Sequence, residues 1–150
     1  VVEATKDWPV TPLVLDPRGR DLEEAMTEKR TAFAAADFAV AVSGTVALEL
    51  AAARTPMVSA YDMNWLTRII MQRMIRIDTA NLVNLVSDTR HVPEFIGDNC
   101  RSDLISAGLE GLIENPTPQL AAMADTMEQL GQGGEDPGLR AARAVLARMP

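Results

Sequence analysis

A chain of 150 residues, 47% apolar and 23% charged, is long enough for one packed domain and too apolar for a disordered tail. Its net charge of −7 argues against a nucleic acid bound through a basic face, and its longest uncharged stretch, the eleven residues 38–48, is too short to span a bilayer. One cysteine, Cys100, and one histidine, His91, exclude a disulfide framework and a zinc cluster. With no targeting pattern visible, the expectation is a cytoplasmic globular domain. The chain opens Val1-Val2-Glu3 without an initiator methionine and is expected to be a piece of a longer protein.

Residues 10–16 (VTPLVLD), between Pro9 and Pro17, read as a buried strand, and Pro17-Arg18-Gly19-Arg20 as a turn. Residues 21–36 begin acidic and turn basic near their middle, which predicts a helix aligned with its macrodipole. Residues 38–42 (FAVAV) predict a second strand, apolar throughout as in a parallel sheet covered on both faces. A helix over 46–53 follows, with Ser43 as its expected N-cap, and Thr55-Pro56 leads into a third strand at 57–61. Residues 64–76 (NWLTRIIMQRMIR) put Leu66, Ile69, Ile70 and Met74 on one helical face. A fourth short strand or extended loop is expected over 80–86, an extended or turn segment over 92–95, and helices over 102–114, 119–130 and 139–149, the last two separated by the flexible run 131–138. This alternation means an α/β fold with a parallel sheet flanked by helices.

In such sheets ligands bind beyond the carboxyl ends of the strands. Val42-Ser43-Gly44-Thr45 is a strand-to-helix junction where a glycine admits close approach and a helix N-terminus favours an anion such as phosphate. The same tetrapeptide also fits an ordinary capped turn. Glu49, one turn beyond Thr45, stands among Val46, Ala47, Leu48, Leu50 and Ala51. A carboxylate there needs a donor such as a ribose diol, or else faces solvent. Asn81 and Asn84 would lie on opposite faces of a strand, each open to a sugar or phosphate contact or to a structural role in a bend. Arg68, Arg73 and Arg76, with Trp65, suit a membrane-surface or phosphate-facing helix, or solvated arginines over a core face. His91 and Cys100 have no base or orienting acid nearby in sequence and read as structural.

Together, residues 41–50 (AVSGTVALEL), Thr55-Pro56-Met57-Val58, Ala60-Tyr61, residues 82–86 (LVNLV) and Val92-Pro93-Glu94-Phe95 resemble the C-terminal domain of lipid-A-disaccharide synthases, in the same order and spacing. The resemblance covers roughly residues 12–112. It implies a Rossmann-like domain, incomplete here, of a GT-B glycosyltransferase, with 1–150 as part of the nucleotide-sugar-binding half and 115–150 as a helical extension. The implied reaction is inverting transfer from UDP-2,3-diacylglucosamine to 2,3-diacylglucosamine 1-phosphate in lipopolysaccharide biosynthesis, releasing UDP. No cofactor or metal is implied, since the UDP-sugar is a substrate.

By position, Ser43, Gly44 and Thr45 would meet the pyrophosphate and Glu49 the ribose. Asn84 would be a donor-site residue and the one catalytic candidate in this stretch. Val83 and Asp62 depart from the family's pattern, which often has proline and arginine there. The family's N-terminal domain and its Gly-Ser-Arg loop are not among these residues. The partners implied are the two acylated sugars, that N-terminal domain, and a membrane surface met through Trp65, Arg68, Arg73 and Arg76, on the inner face of a Gram-negative inner membrane; an apolar sheet edge allows a homodimer. The alternatives are another UDP-sugar GT-B enzyme, an epimerase or hexosaminyltransferase, and a non-catalytic Rossmann-like assembly module.

Overall fold

The computed structural model describes residues 21–42, 44–62 and 78–149. The predicted strand at 10–16, the turn at 17–20, Ser43 and the predicted helix at 64–76 with Trp65, Arg68, Arg73 and Arg76 lie outside the described residues. Asp21 caps α1 (Leu22–Ala35), accepting from the amides of Glu23 at 2.9 Å and Glu24 at 3.3 Å, and those two acids face the positive end of the helix dipole. The chain continues through β1 (Ala39–Ala41), α2 (Thr45–Ala53) and β2 (Met57–Tyr61). Then come α3 (Leu82–Val86), β3 (Glu94–Ile96), a 3-10 turn at Gly97–Asn99, α4 (Ser102–Glu114), α5 (Thr117–Gln129) and α6 (Pro137–Leu146).

The three described strands are parallel in the order β1-β2-β3, with Ala39 opposite Met57 and Ser59 opposite Glu94. The fold class is therefore α/β, a parallel sheet flanked by helices, as part of a Rossmann-like domain. The core gathers Ala41, Leu50, Met57, Val83, Val92 and Met123. Fully burying each larger side chain among them is worth about 1.5–3 kcal/mol. Helix α2 is apolar around most of its circumference because it packs against β1, α1, α3 and α5. Helix α5 also belongs to this core through Ala122 and Met123, whereas α6 presents Leu139, Val145 and Leu146 to solvent. No described helix is long and apolar enough to cross a membrane.

Three sequence expectations are corrected. The strand at 38–42 shrinks to Ala39–Ala41 and is not covered on both faces: alternation turns Ala41 into the core while Val40 is 55% exposed. The N-cap of α2 is Gly44 rather than Ser43, because the helix begins at Thr45 and the N-cap is the residue immediately before it. Within residues 80–86, expected to be a short strand or extended loop, Leu82–Val86 form a short helix. There Asn81 accepts from the Val83 amide at 2.9 Å, a cap that a strand could not use.

Candidate nucleotide-binding site

At the carboxyl end of β1, Gly44 turns the chain into α2 with φ 115° and ψ −151°, a backbone conformation open essentially to glycine alone. A Cβ there would meet nothing within 4 Å, so open space borders the backbone. Among the described residues no side chain caps the first turn of α2, and Thr45 beside it is exposed. Uncapped amides at the positive end of a helix, next to a glycine, are a binding geometry for an anion.

Glu49 lies one turn further along α2, half-buried at a cavity of about 610 Å³ between α1 and α2. Met26, Phe33, Leu48 and Ala52 line the cavity, with Lys29 and Glu49 among its charged groups. The carboxylate is not a lone charge in solvent. Lys29 Nζ donates to its Oε1 at 2.9 Å and stands 2.7 Å from Oε2. The same ammonium lies 5.4 Å from the centroid of the Phe33 ring.

Asn84 occupies a different setting. Its side chain is buried and engaged on both ends: Nδ2 donates to Val92 O at 2.8 Å and Glu94 Oε1 at 3.0 Å, while Oδ1 accepts from the Val92 amide at 2.9 Å. Asn81 is equally buried and donates through Nδ2 to Ser59 Oγ at 2.8 Å. Because Asn81 caps a helix that contains Asn84, strand alternation does not apply to them; Asn84 engages Glu94 through its side chain and Asn81 through its backbone amide. That carboxylate also accepts from the amides of Ala80 at 2.9 Å and Asn81 at 3.1 Å, and from the Thr79 hydroxyl. Sequence reasoning passed over Glu94. Its one signal is a carboxylate between Pro93 and Phe95 in a segment expected to be extended or a turn.

Elsewhere, the Arg90 guanidinium donates side-chain hydrogen bonds to Asp78 and holds that exposed carboxyl below the ordinary carboxylate range. His91 is exposed, and it is its backbone carbonyl that the fold uses, as an acceptor for Gln119 Nε2 at 2.9 Å. Cys100 is a free thiol, partly buried.

The family model described as lipid-A-disaccharide synthetase matches residues 18–146. The chain belongs to this family. The match runs through Gly44, Thr45, Glu49 and Asn84. The lipid-A-disaccharide synthase of Ruegeria pomeroyi is 56% identical over 150 residues, which is 100% of this chain and 37% of that protein. That of Paramagnetospirillum magneticum is 40% identical over 97% of this chain and 36% of its own length. The Rhodospirillum centenum protein is 39% identical over 97% of this chain and 35% of its own. The chain thus spans just over a third of the length of these members of the family.

Proposed function

We propose that these residues form the donor-nucleotide half of a lipid-A-disaccharide synthase, an inverting hexosyltransferase. The reaction joins the sugar of UDP-2,3-diacylglucosamine to 2,3-diacylglucosamine 1-phosphate and releases UDP. The observation that carries this reading is the β1–α2 junction, where Gly44 leads the strand into the N-terminus of α2 and the next turn brings Glu49 to an apolar cavity. The first-turn amides of α2 together with Ser43, Gly44 and Thr45 would hold the pyrophosphate, the Glu49 carboxylate the ribose hydroxyls, and the apolar floor the base.

Transfer with inversion has two needs: a base for the acceptor hydroxyl and stabilisation of the departing diphosphate. Preorganised helix amides meet the second, since they are already aimed where negative charge collects. We assign that role to them rather than to a metal ion. The base is not assigned to any residue here, so the 150-residue chain by itself is expected to transfer no sugar. Asn84 enters the site through position: its bonds to Val92 and Glu94 fix the segment after β2. The acylated substrates place the reaction at the inner face of the inner membrane, with Trp65, Arg68, Arg73 and Arg76 as the surface contact.

Calorimetric titration of the full-length protein with UDP, using ADP as control, tests the reading. UDP-selective binding should weaken at least about tenfold in Glu49→Gln, the worth of a hydrogen bond to a charged group. A folded protein that binds neither nucleotide, or both alike, overturns it.

A further inference from the structure

Glu49 comes with a partner that the nucleotide reading does not explain. Lys29, twenty residues earlier on α1, contacts both carboxylate oxygens, at 2.9 Å and 2.7 Å. The two side chains are 41% and 39% exposed, so the pair adds little to stability by itself. Its placement is more informative. It spans the two helices that wall the cavity, beside the apolar lining of Met26, Phe33, Leu48 and Ala52. The ammonium is further restrained by the Phe33 ring, 5.4 Å away.

We propose that Lys29 is a positioning residue for ribose recognition: it pins the Glu49 carboxylate in the orientation that receives both hydroxyls of a nucleotide's ribose. The inference rests on the nucleotide-site reading above and adds the device that makes the site selective. An ionised carboxylate offers about four acceptor sites. Lys29 donates to Oε1 and stands at ion-pair distance from Oε2, which leaves acceptor positions on the carboxylate for the two donors of a cis-diol. Without the ammonium the carboxylate can rotate about its last side-chain bonds, and binding must then order it at an entropic cost.

The test compares UDP with 2′-deoxy-UDP on the full-length protein and on its Lys29→Met and Lys29→Arg variants, with a melting curve to verify folding. Lys29→Met should weaken UDP by about fivefold, the upper end for a half-exposed ion pair, and 2′-deoxy-UDP by less than about twofold. Lys29→Arg should stay within about twofold of the parent for both, because a guanidinium keeps the positive charge and can donate to the Glu49 carboxylate. If UDP and 2′-deoxy-UDP weaken equally in Lys29→Met, or neither changes, the positioning role is overturned while the nucleotide site stands. If the parent protein binds no UDP, the site itself falls and Lys29 with it.

Discussion

Asn84 shows how a polar residue inside an apolar segment acquires its role from what surrounds it. Its amide closes three hydrogen bonds to Val92 and Glu94. Asn84→Ala would leave the Val92 amide and carbonyl without that partner in a buried setting, a cost of about 2–4 kcal/mol in urea unfolding. Asn84→Asp should be worse, although it preserves the acceptor for the Val92 amide. Its second oxygen replaces a donor and faces both Val92 O and the Glu94 carboxylate. An aspartate variant as stable as the alanine one would show that this hydrogen-bond set does not hold the segment. The sequence exposed the asparagines as interruptions in an apolar run, and it exposed Glu49 in the same way. It could not show that Asn84 faces inward, because its acceptor Glu94 and its partner Val92 lie eight to ten residues on and meet it only once 82–86 coils into a helix. Lys29 was hidden for the same reason, being paired across twenty positions.

At the scale of elements, α4 packs over β2 and β3, with two glycines of opposite consequence. A Cβ on Gly108 would lie 2.5 Å from Phe95 Cζ and 2.7 Å from Cε2, whereas one on Gly111 would meet nothing within 4 Å. Gly111→Ala should therefore stabilise the protein by about 0.5–1 kcal/mol, the ordinary helix-propensity gain. Gly108→Ala should destabilise it by about 1–3 kcal/mol through overpacking. Pairing it with Phe95→Leu should recover part of the loss, since the obstacle is a single ring. Melting temperatures that move in the same direction for both alanine variants would contradict this packing. Elements of this size were largely readable. The strand Met57–Tyr61 and the helix Ser102–Glu114 match their sequence boundaries, because a Thr-Pro pair and an Asn-Pro pair punctuate them. Residues 80–86 were not, since a short apolar run has no period long enough to separate strand from helix. Capping by Asn81 settles the matter locally.

At the scale of the whole molecule, one side chain substitutes for missing sheet. Strand β3 begins opposite Ser59, so the backbone of Met57, two residues earlier on the same side of β2, has no strand to pair with there. Gln119 fills the gap from α5, accepting from the Met57 amide at 2.6 Å and donating to Met57 O and His91 O, each at 2.9 Å. Its amide thus acts as one rung of a ladder, and it is buried to 1% exposure. Sequence reading placed Gln119 at the start of a helix but could not give it this task, because its partners stand 62 and 28 positions away. The consequence is cooperative. Residues 117–129 cannot leave the core without unpairing the first residue of the central strand, so α5 and the sheet should unfold together. Gln119→Met, close in volume but without donor or acceptor, strands three buried or half-buried backbone groups and should cost about 2–5 kcal/mol. Amide hydrogen exchange separates this from a general loosening: Met57 should lose protection far more than Val58, whose amide points towards β1. Equal loss at both positions would mean that Gln119 merely fills space, and that the edge of the sheet is closed by something other than its amide.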